Sequence, residues 1–301
     1  MQVQLSSNIF ELQSYIESIE QDPSLYQEQN FEQRIEVIDF IGFQVIEQLE
    51  ELLQKTDQPD KLALLKYRAE KVKTALEDID TALFRRLQAA IRTGKKFRDL
   101  IDEYVDRSAT HAIQKEIGYD NLDIFINGLS PCQTMSEPTK VLEPEMVFYQ
   151  KTPARIVFEL VENVSFMEGD VFFDLGAGLG QVVILVNLLT GVKAKGIEFE
   201  PAFYDYAREL ATELNLSDVT FLNMDAREAD YSEGTIFFMF TPFKGEIMQA
   251  VLARLREESL RRKIRVITYG PCTDQVALQD WLEIVSPEVD NLYTLGVFRS
   301  F

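Results

Sequence analysis

The sequence predicts a Rossmann-like α/β sheet in its second half, preceded by an all-α helical domain. Three observations carry this. Residues 171–183 read VFFDLGAGLGQVV, a buried strand end, a glycine turn and a helix start. Strand-length apolar runs and helix-length stretches then alternate along the chain, the pattern of a parallel sheet wrapped by helices. Before residue 130 the apolar residues recur at helical spacing instead.

The chain has 301 residues, room for two domains of ordinary size. It carries 50 acidic and 30 basic side chains, net −20, with acid in excess in both halves, so a nucleic-acid partner is not expected. No apolar run reaches transmembrane length, and MQVQLSSNIFELQ lacks the basic and apolar regions of a signal peptide. A cytoplasmic protein with no membrane partner is the expectation. Cys132 and Cys272 lack metal-site spacing and His111 has no partner motif, so no metal is expected.

Residues 1–130 read as the helical domain. Asp22-Pro23-Ser24 is a helix start, followed by Ile35, Ile38, Ile41, Val45, Leu49 and Leu52. Pro59 suits the first turn of the next helix. There Leu62, Leu65, Ala69, Val72, Leu76, Ile79 and Leu83 alternate spacings of three and four, a heptad seam. It fits two long helices packed antiparallel within the chain or, as the alternative, a coiled-coil homodimer. Gly94 is a stop. A further helix is expected over 96–118, with Leu100, Ile101, Tyr104 and Val105 inward. Arg85, Arg86, Arg92, Lys95, Lys96 and Arg98 form an acid-free stretch, read as a solvated helix end or as a docking patch for an anionic partner. Prolines 131, 138 and 144 make 119–148 irregular, with 131–148 as the connector.

The second domain, 149–301, opens with a helix at 153–164. Strands are expected at 171–175, 193–198, 218–222, 235–240 and 264–269, and helices at 180–190, 201–214, 244–260 and 274–281. LEIV and NLYTLGVF, joined by a turn at Ser286-Pro287, leave no room for a helix between them. They should pair antiparallel at a sheet edge.

A strand that turns into a helix in so few residues needs positive φ, which glycine supplies, and the absence of Cβ lets a ligand approach. The motif places Gly176, Gly178 and Gly180 behind Asp174, unlike the G-x-G-x-x-G of a pyrophosphate site. A carboxylate at 174 would repel a pyrophosphate but suits an ammonium, which disfavours a nicotinamide dinucleotide and favours S-adenosylmethionine. Glu198 ends the second strand, where an acid can accept both ribose hydroxyls, and Phe199 can cover the adenine. Asp225, after the third strand, can accept the adenine amino group, with the Ala226 N–H on the ring edge. The bland readings are a strand-end acid for Glu198 and a cap or loop acid for Asp225.

This ordering resembles the class I S-adenosylmethionine-dependent methyltransferases over 145–301, with their seven-stranded sheet and antiparallel terminal strand. It is most similar to the non-SET histone-lysine methyltransferases of disruptor-of-telomeric-silencing type. Those have a Y-G-E-T-like loop and a D-L-G-S-G-V-G-Q-V-V turn; here stand Tyr149-Gln150-Lys151-Thr152 and the run from Asp174 to Val183. The resemblance implies that Tyr149 and Thr152 close over the methionine part and that Gln181 contacts the cofactor. The family's N-N-F-like segment is replaced by Phe240-Thr241-Pro242-Phe243, whose other reading is a helix N-cap with a packed Phe. A related T/N-P-P-F/Y element in amino-group methyltransferases holds the nucleophile by backbone carbonyls. The family uses basic segments to reach nucleosomal DNA, whereas this chain is net acidic in both halves, so a nucleosome is not the expected substrate.

Methyl transfer from a sulfonium is in-line and its leaving group is neutral. The enzyme must align the nucleophile and, for an amine, keep it unprotonated, which an apolar pocket favours. Tyr149, Thr241 and Phe243 are the expected catalytic residues, with Phe240 and Tyr269 completing the wall and Cys272 at the rim. No dedicated base is expected. The acceptor is a protein side chain of lysine type or a small molecule; the alternative is a non-catalytic S-adenosylmethionine-binding or sensing protein whose helices serve assembly.

Overall fold

The computed structural model describes residues 2–55, 59–106, 118–130, 137–285 and 293–301. His111, Cys132 and Ser286-Pro287 lie outside the described residues. The chain divides into two compact units, Met1–Ala90 with Asp99–Arg107, and Ile91–Arg98 with Ser108–Phe301. These units do not follow the 1–130, 131–148 and 149–301 division read from the sequence. A helix within 119–148, expected to be irregular, packs on the first helix of the α/β domain and so belongs to the second unit.

In the first unit, α1 (Gln2–Glu20), α2 (Phe31–Phe40), α3 (Glu47–Leu53) and α4 (Pro59–Arg92) are amphipathic. A π-helical stretch, Ile41–Ile46, joins α2 to α3. The seam residues Leu62, Leu65, Ala69, Val72 and Leu76 of α4 share one core with Leu12, Ile16, Ile41, Val45 and Leu49, so the seam is buried within the unit. Asp22 does not start the long helix. It caps a 3₁₀ turn, Pro23–Tyr26, accepting the Ser24 amide at 2.9 Å, and α2 begins only at Phe31. The turn is held by Arg34, fully buried, which donates to the Leu25, Gln27 and Glu28 carbonyls and pairs with Asp80 at 2.7 Å. A guanidinium satisfies several carbonyls that would otherwise be buried without donors.

Helix α4 stops at Arg92 with Gly94 at φ +77°, and α5 (Phe97–Ile101) is shorter than the sequence suggested, with Leu100 only half-buried. The basic stretch is partly neutralised. Arg86 pairs with Glu28, Arg98 meets Glu162 at 3.0 Å, and Arg92 donates to the Glu213 carbonyl.

In the second unit, α6 (Asn121–Gly128) precedes α7 (Ala154–Asn163). Then come β1 (Val171–Leu175), α8 (Gln181–Thr190), β2 (Lys193–Glu198), α9 (Pro201–Glu213), β3 (Val219–Asn223), β4 (Ile236–Met239), α10 (Gly245–Ser259), β5 (Arg265–Thr268), α11 (Cys272–Ala277), β6 (Leu282–Ile284) and β7 (Gly296–Ser300). The sheet order is β3-β2-β1-β4-β5-β7-β6, with β7 antiparallel to both neighbours. β1 and β4 are buried along their whole length, as a central parallel strand covered on both faces must be. The order reverses between β1 and β4, and the crevice outside their carboxyl ends is where an open α/β sheet takes a ligand. No helix among the described residues is long and apolar enough to cross a membrane, and no described group of acidic, His or Cys side chains could hold a metal ion.

Candidate functional site

A cavity of about 450 Å³ lies at that crevice, within the range of small-ligand sites. Its floor is the β1 end and the glycine turn, its sides are the ends of β2, β3 and β4, and its cover is the segment 138–152. Asp174, Gly176, Glu198, Phe199, Asp225, Ala226, Gln181, Tyr149, Thr152, Thr241 and Phe243 all line it. Gly178 and Gly180 do not; their roles are in the turn.

The turn is built from contacts that no side chain could share. Gly176 (φ +87°) would place a Cβ 2.5 Å from the Pro242 ring, and Gly178 (φ +52°) would place one 2.1 Å from the Tyr149 ring. At Gly180 (φ +81°) a Cβ would meet Phe221 and Ala207, which pack there between helix and sheet. The glycines thus bring the Thr241-Pro242-Phe243 segment and the Tyr149 loop hard against the β1 end.

The acids behave differently from one another. Glu198 accepts the Gly178 amide at 2.7 Å and the Glu200 amide at 2.8 Å; burial still pushes its pKa up. Each of its oxygens keeps a lone pair for a ligand hydroxyl. Asp174 is buried, lines the cavity, and its carboxylate accepts no hydrogen bond from the described residues. Burial, with the Glu198 charge added, lifts it to about 8. An orphaned buried carboxylate of this kind calls for a cationic ligand group. This fits the α-ammonium of S-adenosylmethionine and opposes a phosphate. Asp225 is engaged already: Arg227 binds it through Nε at 3.0 Å, Nη2 at 2.6 Å and its own amide, and holds its pKa down. Only the remaining lone pairs of Asp225 are left for an adenine. Phe199 has the Lys140 ammonium over its ring at 3.9 Å, so one face is covered by the chain itself.

The cover is fastened at successive points. Glu200 accepts the Thr139 and Lys140 amides, the Thr139 hydroxyl and the Ala202 amide that it caps at the start of α9; burial opposes ionisation, but these donors bring its pKa down to about 2. Arg227 also reaches Glu143 at 2.6 Å. Met146 bridges to Phe243, and the Val147 amide donates to the Pro242 carbonyl at 3.0 Å. Gln181 donates through Nε2 to the Thr152 carbonyl at 2.8 Å. Its Nε2 therefore fixes the loop, while the residue still lines the cavity. Tyr149 lies on the glycine turn, packs on Phe203 at 5.2 Å, and has its pKa raised by burial.

Thr241-Pro242-Phe243 is not the cap of α10. The N-cap position is Lys244, without a side-chain cap, and the acceptor is Glu145, whose Oε2 takes the Ile247 amide at 2.9 Å from across the chain. Thr241 instead sits at φ +43°, uncommon for a residue with a Cβ. Its hydroxyl donates to the Tyr269 carbonyl and accepts the Cys272 amide, and its own amide donates to Cys272 Sγ. Cys272 is a buried thiol with its pKa raised by burial, and it does not reach the cavity rim. Tyr269 likewise stands behind the wall, its ring tilted against Phe240 at 4.8 Å, and does not line the cavity. The sequence carried no signal for Glu145 or Lys140, which act across a gap in the chain, nor for the bond from Arg227 to Glu143.

Residues 145–254 match the model of the family described as histone methylation protein DOT1. None of the curated proteins matches the chain. Among solved structures the chain is similar to an RNA methyltransferase from Salinibacter ruber, solved with S-adenosyl-L-homocysteine, at 27% identity over 50% of this chain and 92% of that one, TM-score 0.38. A precorrin-6y C5,15-methyltransferase from Geobacter metallireducens matches at 14% identity over 52% and 92%, TM-score 0.39. A SAM-dependent methyltransferase from Aquifex aeolicus matches at 18% identity over 48% and 88%, TM-score 0.37. The sheet with its antiparallel β7 and the family match over 145–254 give this domain the class I S-adenosylmethionine-dependent methyltransferase fold, similar to the DOT1 type.

Proposed function

We propose that this chain methylates a lysine-type amine of a protein side chain, admitted where Phe240, Thr241, Pro242 and Phe243 meet the cover. The observation that carries this is a pair of backbone acceptors. The Phe240 and Thr241 carbonyls accept no hydrogen bond among the described residues, and both residues line the cavity. An amine has N–H groups to give them. The family match to histone methylation proteins supports a protein lysine acceptor. The acid excess of the chain favours a basic protein segment in the cytoplasm over a nucleic acid or a membrane.

When bound, S-adenosylmethionine supplies a methyl group on a sulfonium, whose neutral leaving group needs no acid. Asp174 would hold its ammonium, Glu198 its ribose hydroxyls, and Asp225 with the Ala226 amide its adenine edge. The chain's own residues do the rest. Phe240, Phe243 and Tyr149 exclude water and so favour the neutral amine. The two carbonyls orient its lone pair, and the Thr241 clamp fixes those carbonyls in place. In-line transfer then requires only approach to roughly 3–3.5 Å.

The Thr241 hydroxyl is committed to Tyr269 and Cys272 and offers no group for proton transfer, so the alternative of a cofactor-binding protein without turnover is tested as well. Calorimetry with S-adenosylhomocysteine, with NAD as control, tests the cofactor: no heat, or tighter binding of NAD, excludes it. Labelled methyl from S-adenosylmethionine is then offered to lysine-bearing basic proteins and to small amines. Methyl-lysine on hydrolysis is expected. Label confined to small amines overturns the protein acceptor, and binding without any transfer selects the alternative.

A further inference from the structure

We infer that Asp123 is a positioning residue for the cofactor loop, and that α6 serves the site through it. This rests on the reading that the cavity takes S-adenosylmethionine. Asp123 is buried in the first turn of α6 and its two oxygens face different ways. Oδ2 accepts the Asp120 amide at 3.0 Å, closing the capping box of α6. Oδ1 accepts the Ala154 amide at 2.8 Å, the first N–H of α7, 31 residues on. One carboxylate thus caps two helices and ties their starts together.

Between those two points runs the loop that carries Tyr149 and Thr152 into the cavity. Two more bonds, from α6 and the residue before its cap, hold it: the Tyr119 hydroxyl donates to the Lys151 carbonyl at 2.8 Å, and the Lys151 ammonium donates to Asn127. Lys151, half-buried with its pKa lowered by burial, is turned onto α6 and does not line the main cavity. The loop is therefore gripped on one side by α6 and on the other by Gln181 of α8, with the Tyr149 ring left lying on Gly178. Freeing the Ala154 amide leaves a buried donor unpaired and releases the end of the loop nearest Thr152.

The test compares Asp123→Ala, Asp123→Asn and Asp120→Ala by far-UV circular dichroism, calorimetry with S-adenosylhomocysteine, and amide exchange at Ala154. Asp123→Ala should bind about tenfold more weakly and exchange the Ala154 amide faster. Asp123→Asn keeps an oxygen for Ala154 and should stay within about threefold of the wild type. Asp120→Ala removes the cap on the Leu122 and Asp123 amides, lowers thermal stability, and should leave affinity within about twofold. Unchanged binding in Asp123→Ala, or equal weakening in Asp120→Ala, overturns the inference. Should Asp123→Ala not fold, Tyr119→Phe carries the test with about threefold weaker binding expected, and no loss overturns it. A wild type that gives no heat with S-adenosylhomocysteine overturns the cofactor reading, and the Ala154 exchange in Asp123→Asn and Tyr119→Phe then decides the clamp without a ligand.

Discussion

The Glu198 charge adds to burial in lifting Asp174 to about 8, yet only Glu198 has amide donors to steady it. The floor of the cavity is thus a paired-acid site in which one member is satisfied by the glycine turn and the other is kept for the ligand. The consequence is a site that opposes its own folding until it is filled.

Asp174→Asn should therefore stabilise the ligand-free protein while abolishing binding of S-adenosylhomocysteine. Its folded pKa lies above the unfolded value, so its contribution is fully present below the unfolded pKa and is lost as pH rises towards 8. At pH 8 the variant should melt about 3 °C higher than the wild type, and the gap should close at pH 4. In the wild type, binding should release a proton at pH 7 and tighten as pH rises to 8. Melting curves and calorimetry in buffers of different ionisation enthalpy read both effects; a pH-independent affinity contradicts them.

Gly178→Ala should cost about 2 kcal/mol, since the position has φ +52° and its Cβ would stand 2.1 Å from the Tyr149 ring. Tyr149→Ala in the same chain should return about 1 kcal/mol by removing the clash, leaving the backbone strain. Urea unfolding of the two single variants and the double variant closes the cycle. Additive losses would show that the ring and the turn do not meet.

Arg34→Met should destabilise the first unit by about 3 kcal/mol, because it strands three carbonyls and leaves Asp80 without its partner. Far-UV circular dichroism reads the helical loss, while Trp281, the only tryptophan, reports the second unit separately. A midpoint shift confined to the Trp281 signal would contradict this.

What the sequence disclosed follows from the range of the forces involved. The seam from Leu62 to Leu76 and the strand at Val171–Leu175 were legible because burial imposes a period on neighbouring residues. The glycine turn was legible because positive φ restricts residue type locally. The terminal strand pair, read as LEIV and NLYTLGVF and found at Leu282–Ile284 and Gly296–Ser300, was legible as a pair because no helix fits between them, though the second strand starts later than read. Glu145 and Asp123 were not, nor were the bonds from Glu200 to Thr139 and Lys140, since a carboxylate that accepts amides tens of residues away leaves no local pattern. Gln181 was legible as a cavity residue, but its bond to the Thr152 carbonyl was not, because it depends on a loop that sequence could not place. Asp22 did not start the long helix because Arg34 holds the turn that follows it; of the helix expected at 96–118, Phe97–Ile101 is helical and 107–117 lie outside the described residues.

Thr241 offers the sharpest separation of binding from chemistry. Its hydroxyl ties the Tyr269 carbonyl to the Cys272 amide, and this holds the segment in the left-handed conformation that exposes the Phe240 and Thr241 carbonyls. Thr241→Gly relieves the strain but cuts both bonds, so stability should change by less than about 1 kcal/mol as the two effects offset. Thr241 contributes to the far wall, not to the floor where Asp174 and Glu198 stand, so affinity for S-adenosylhomocysteine should stay within about twofold. Methyl transfer should fall about tenfold or more, because the carbonyls that orient the amine are no longer fixed and misplacement by about 1 Å is enough for such a loss. Thr241→Asn tolerates the left-handed conformation and keeps a side-chain acceptor for the Cys272 amide, and it should recover part of the rate. Equal losses in binding and in transfer for Thr241→Gly would place this residue in the cofactor site and remove the acceptor role from the segment.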